Sequence, residues 1–187
     1  MAAMLGADAI GLVFYADSPR AVDAAGAREI TSGLPAFVSV VGLFVDAPPM
    51  EVQDTIENAR LDILQFHGNE TPEVCRSFGL PYIKAIRMHD DVDLHAESAR
   101  YYDASGLLLD SYHQGAPGGT GEMFDWGRIT SVDLPVILAG GLTPGNVAEA
   151  ISRVKPYAVD VSSGVEIAKG IKDPDKVSEF IRNVIKN

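Results

Sequence analysis

Ile63-Leu64-Gln65-Phe66-His67 is an apolar run whose polar members share a face: in an extended chain Gln65 and His67 point one way, Leu64 and Phe66 the other. The alternation returns in Ala158-Val159-Asp160-Val161-Ser162, where Asp160 and Ser162 oppose Val159 and Val161, and Lys84 stands between Ile83 and Ala85 in a third run. Apolar, β-branched runs of this kind centre near Leu12, Val41, Leu64, Ile83, Leu108, Ile137 and Val159, 19 to 29 residues apart. Helical spacing fills the gaps, so the pattern is a parallel sheet covered by helices. A closed (β/α)₈ TIM barrel and an open doubly wound sheet both satisfy it. Polar residues recurring on one strand face favour the barrel, whose interior becomes polar toward its catalytic mouth.

The helices announce themselves by caps and periodicity. Val177, Phe180, Ile181, Val184 and Ile185 follow the i, i+3, i+4, i+7, i+8 spacing behind Asp173-Pro174. Val147, Ala150, Ile151 and Val154 do so behind Thr143-Pro144, and Thr71-Pro72 opens a helix that Gly79 can close. Met1 to Leu5 reads as the last turn of a helix capped by Gly6, before a strand from Asp8 to Tyr15. Seven strands are visible where a barrel has eight. The expectation is a single TIM-barrel domain over residues 1–187, lacking the first strand and most of the first helix.

Composition narrows the function classes. The chain is 47% hydrophobic and 22% charged, with a formal net charge of −11. That charge opposes nonspecific binding to nucleic acid or an anionic membrane, while a pocket of backbone N–H groups can still take an anionic substrate. Cys75 is the single cysteine, so no intrachain disulfide forms, and with no membrane-length apolar run or signal peptide a cytoplasmic protein is expected. His89, His95 and His113 lack metal-ligand spacing, and neither a Walker loop nor a dinucleotide fingerprint occurs.

The chemistry concentrates at strand ends. Leu107-Leu108-Leu109-Asp110-Ser111 is a buried run ending in a carboxylate, followed by Gly118-Gly119-Thr120-Gly121 and Phe124-Asp125-Trp126. Asp110 is the foremost catalytic candidate, because the C-terminal end of a parallel strand is rigid and the following glycine-rich loop can close over a substrate. Val136 to Leu138 leads to Gly140-Gly141, and the strand at Asp160 leads to Ser162-Ser163-Gly164. These two consecutive loops at the chain end stand where barrel enzymes bind phosphate through backbone N–H groups. Arg20, in Ser18-Pro19-Arg20, is either a fork for a substrate carboxylate or a solvated arginine. Gln65 and His67 either line the mouth or form a hydrogen-bonded interior pair. Lys84 reads as half of a structural ion pair, with Asp160 a candidate partner, ahead of a catalytic role, and Cys75 as inert helix packing.

These motifs, in order, together with Gly6-Ala7-Asp8-Ala9-Ile10-Gly11, Phe14-Tyr15 and Gln65-Phe66-His67-Gly68, resemble the phosphoribosylanthranilate isomerases of tryptophan biosynthesis over essentially the whole chain. The resemblance implies a (β/α)₈ barrel and an Amadori rearrangement of N-(5-phosphoribosyl)anthranilate, a small phosphosugar, with no metal or organic cofactor. It implies Asp110 as general acid, Arg20 as the grip on the anthranilate carboxylate, and Gly140, Gly141, Asp160, Ser162, Ser163 and Gly164 as the phosphate site. The family's general base, a cysteine in a Lys-x-Cys-Gly motif on the first strand, has no match here, so impaired turnover is expected, along with a homodimer through open barrel edges. A noncatalytic phosphosugar-binding protein is the alternative. The related histidine-pathway aminoaldose isomerase ranks below it, because the front half has no counterpart to the phosphate loops.

Overall fold

A computed structural model describes residues 1–111 and 125–186. Of the loop read from Ser111 to Gly121, only Ser111 falls within them; His113, Gly118, Gly119, Thr120, Gly121 and Phe124 lie outside the described residues. The chain divides into two compact units, Met1–Lys84 and Ala85–Asn187.

In the first unit, strands β1 (Ala9–Val13), β2 (Ser39–Phe44), β3 (Ile63–Phe66) and the start of β4 (Tyr82–Met88) pair in that order, all parallel. The register sets Leu43 against Gln65 and Gln65 against Ile83. Parallel strands need crossovers. Helices α1 (Ala24–Ser32), α2 (Pro49–Asn58) and α3 (Pro72–Arg76) supply them. Asp23 caps α1 by accepting from Gly26 N at 2.7 Å, and Thr71 caps α3 as expected. Phe14, Phe44, Phe66 and Phe78 form a ring series with centroids 5.4, 6.3 and 5.8 Å apart, and Tyr82 meets Phe66 edge-on at 6.2 Å. Such contacts add to area burial by about 0.5–1.5 kcal/mol each.

The second unit carries α4 (Leu94–Arg100), then β5 (Gly106–Ser111), β6 (Val136–Leu138) and β7 (Ala158–Val159), again parallel in order. Every residue of β5 is buried, and Leu109 pairs with Leu138. Helices α5 (Val147–Val154) and α6 (Pro174–Ile185) bury Val147, Ala150, Val177 and Phe180. Asp173 caps α6 by accepting from Asp175 N and Lys176 N.

All seven expected strands are present, and the first turn is a 3₁₀ helix, Ala2–Leu5, closed by Gly6 at φ 107°. Two helix boundaries differ from the sequence reading. Helix α5 begins after Asn146, because the Thr143 carbonyl accepts from both Asn146 N and Val147 N and Thr143-Pro144 forms the preceding turn. Helix α3 stops at Arg76, before Gly79: Ser77 Oγ donates to the Val74 carbonyl at 2.8 Å, competing for the helix's own acceptors. A short antiparallel hairpin, β8 (Glu166–Ala168) and β9 (Ile171–Lys172), was not expected. Among the described residues no helix is long and apolar enough to cross a membrane.

Candidate active site

Asp110 is the penultimate residue of β5 and is buried, its Oδ1 accepting from Ser111 N at 2.9 Å. The strand fixes its backbone, and that hydrogen bond fixes one carboxylate oxygen. Gly140 packs directly against it. A Cβ at Gly140 would overlap Ser111 N and come within 2.9 Å of Asp110 Oδ1, and its φ of +74° disfavours any side chain independently. The glycine after β6 is therefore what lets the candidate acid and the first candidate phosphate loop touch.

That loop is held from behind by Asn146. Its Oδ1 accepts from Thr143 N at 2.7 Å, while its Nδ2 donates to the Gly141 carbonyl at 3.0 Å. Asn183 on α6 adds a donation to the Pro144 carbonyl at 2.9 Å. The second loop nests on the first: a Cβ at Gly164 would overlap the Leu142 carbonyl oxygen. Residues 162–164 and 140–141 thus lie in adjoining loops. Asp160, whose N–H donates to the Leu138 carbonyl at 2.8 Å, is exposed at the end of β7. Trp126, the aromatic anchor, is buried beneath the Arg153 guanidinium, 5.6 Å from its ring centre.

In the first unit Arg20 is half-buried in a loop tied by Ser18 N to the Tyr15 carbonyl and by Ala21 N to the Ser18 carbonyl. Its own N–H donates to Ser18 Oγ at 3.2 Å. Gln65 Nε2 and His67 Nδ1 stand 3.3 Å apart, so the interior pair forms, with Gln65 buried and His67 half-buried after β3. Cys75 is fully buried in α3, as expected of packing.

Lys84 is structural, and the partner found for it is Glu70. Its ammonium lies 3.2 Å from Glu70 Oε2 and donates to the carbonyls of Phe66 at 3.1 Å and Gly68 at 2.7 Å. Glu70 Oε1 in turn accepts from Asp46 N at 2.8 Å and Gly68 N at 3.2 Å. One buried pair thereby joins the loops after β2 and β3. Sequence reasoning missed Glu70, although a mid-strand lysine demands a buried counter-charge and Glu70 is an acidic residue just before the α3 cap.

The sequence profile described as N-(5'phosphoribosyl)anthranilate (PRA) isomerase matches residues 1–183. The chain belongs to the phosphoribosylanthranilate isomerase family. It is 56% identical over 191 residues to the N-(5'-phosphoribosyl)anthranilate isomerase of Alcanivorax borkumensis, covering 98% of this chain and 88% of that one. Among solved structures, the phosphoribosyl anthranilate isomerase of Thermus thermophilus superposes with a TM-score of 0.88 at 37% identity, over 99% of this chain and 91% of that one. A second, in complex with reduced 1-(o-carboxyphenylamino)-1-deoxyribulose 5-phosphate, gives a TM-score of 0.83 at 36% identity, over 100% and 91%. The α/β barrel class read from the strand faces is the class of these isomerase structures.

Proposed function

We propose that this isomerase-family chain performs the Amadori rearrangement of N-(5-phosphoribosyl)anthranilate, with Asp110 as the general acid. Protonated Asp110 gives its proton to the ribose ring oxygen, the C1–O bond breaks, and the anthranilate nitrogen's lone pair forms the Schiff base. Loss of the proton at C2 then gives the enolamine, which tautomerises to the 1-amino-1-deoxyketose. Arg20 grips the anthranilate carboxylate with its planar fork, and Gln65 and His67 border the same substrate. Backbone N–H groups of Gly140, Gly141, Ser162, Ser163 and Gly164, with Asp160 beside them, hold the phosphate. What supports the reading is the close approach of Gly140 to Asp110, which brings the proposed acid beside the first proposed phosphate loop.

The base at C2 is the open element. No Lys-x-Cys-Gly occurs in these 187 residues, and Cys75 is buried in α3. The reading takes residues 1–187 as one cytoplasmic barrel domain that pairs as a homodimer, with exposed Met1 and Met4 beside β1 available for contact. Sedimentation of a monomer at micromolar concentration would remove the dimer alone.

The test is isomerisation of fresh phosphoribosylanthranilate, followed by loss of its fluorescence. Turnover that Asp110→Asn abolishes supports the assignment. Turnover unchanged by Asp110→Asn refutes it, and binding of the product analogue without any turnover supports a noncatalytic phosphosugar-binding protein instead.

A further inference from the structure

The hairpin β8–β9 stands outside the parallel sheet, and its register sets Glu166 opposite Lys172. Lys172 Nζ directs its three N–H donors to Glu166 Oε1 at 3.0 Å, the Ser162 carbonyl at 2.8 Å and Ser162 Oγ at 3.3 Å. The hairpin is itself tethered: Asp173 N donates to the Val165 carbonyl at 2.8 Å, and Lys176 Nζ to the Glu166 carbonyl at 2.9 Å. A cross-strand ion pair therefore reaches back by one carbonyl and one hydroxyl to the loop after β7.

The consequence follows from peptide geometry. A trans peptide is planar, with its C=O and N–H on opposite sides, and this chain has no cis bonds among its described residues. Fixing the Ser162 carbonyl on Lys172 turns the Ser163 N–H to the other side of that peptide. The ammonium is already charge-compensated, since Glu166 presents a carboxylate side chain only 6% exposed. Lys172 thus supplies the direction of a backbone amide and a fixed hydroxyl; it adds little net positive field. Gly164, seated on the Leu142 carbonyl, fixes the far side of the same loop.

We propose that Lys172, held by Glu166, is a positioning residue that aims the Ser162–Ser163 peptide at a phosphate monoester dianion. The assignment rests on the reading of this loop as the phosphate site, and the hairpin becomes the strut that orients it.

The test uses the full chain labelled with ¹⁵N and titrated with inorganic phosphate, with amide shifts and Kd as readouts. In the unsubstituted protein phosphate moves the Ser163 and Gly164 resonances. Lys172→Met keeps the fold, shifts the Ser163 amide before any ligand is added, and weakens phosphate by about tenfold, the scale of one misplaced charge-assisted contact. Glu166→Gln discriminates the mechanism: it frees the positive charge but loosens the lysine, so phosphate binding weakens or holds. Tighter binding by Glu166→Gln would mean that Lys172 acts as a bare charge, and would overturn the proposal. So would a Lys172→Met protein that binds as the unsubstituted one does. If phosphate leaves Ser163 and Gly164 unmoved in the unsubstituted protein, the phosphate reading itself fails and takes this assignment with it, a result distinct from the other two.

Discussion

Gly140 joins two demands at one position: its φ of +74° and the lack of room for a Cβ between Ser111 N and Asp110 Oδ1. Gly140→Ala is expected to destabilise by at least about 1 kcal/mol from the backbone strain alone. The thermal midpoint should fall by several degrees, and binding of the reduced product analogue should be lost because the loop must move off Asp110. Lys84 offers a contrasting case, buried with Glu70 at 4% side-chain exposure each. Lys84→Met strands a carboxylate and should cost about 3–5 kcal/mol, whereas the Lys84→Met, Glu70→Gln double variant should recover part of that loss. Urea unfolding of the two proteins checks the difference; equal midpoints would show that the charge pair is not what joins the loops after β2 and β3. Ser111→Ala probes the reverse. Its Oγ is buried with no hydrogen-bond partner among the described residues, so its removal should leave the thermal midpoint unchanged or raised.

Elements repeat the lesson with longer reach. Asn146 closes the turn between β6 and α5 with two side-chain hydrogen bonds, one to the Gly141 carbonyl. Asn146→Ala should cost about 1–3 kcal/mol and weaken the product analogue without touching Asp110; Asn146→Asp keeps the acceptor but not the donor and should fall between the two. Calorimetric titration of both variants checks the order. The seven strands were legible because a period of two survives in runs as short as Ile63–Phe66, and caps at Thr71 and Asp173 were legible because their side chains act within three residues. Helix α5 misled because Thr143-Pro144 is as good a start as Asn146, and only the Asn146 bridge decides between them. The hairpin was hidden because strands of two and three residues have no readable period. Glu70 was hidden for another reason: its partners Lys84 and Asp46 are 14 and 24 residues away, and only the folded loops bring them together. The positions of Asp110 and the two glycine-bearing loops were legible from strand ends, while what holds those loops, Asn146 and Lys172, was not.

On the scale of the whole molecule, a net charge of −11 repels an anion at long range, so the proposed phosphate site would have to work through short-range backbone donors. Raising ionic strength from about 0.01 to about 0.1 M shortens the screening length from about 30 to about 10 Å. The association rate of the product analogue should therefore rise with salt, and stopped-flow fluorescence would show it. A rate that falls with salt would mean that a basic surface, not the backbone loops, recruits the ligand. The central claim is that the proposed acid Asp110 and the proposed phosphate loops belong to one site, and titration calorimetry with reduced 1-(o-carboxyphenylamino)-1-deoxyribulose 5-phosphate tests it without requiring turnover. One ligand per chain is expected, with Gly140→Ala and Asn146→Ala each abolishing or strongly weakening binding. Binding that survives both substitutions, or no binding to the unsubstituted chain, would contradict it.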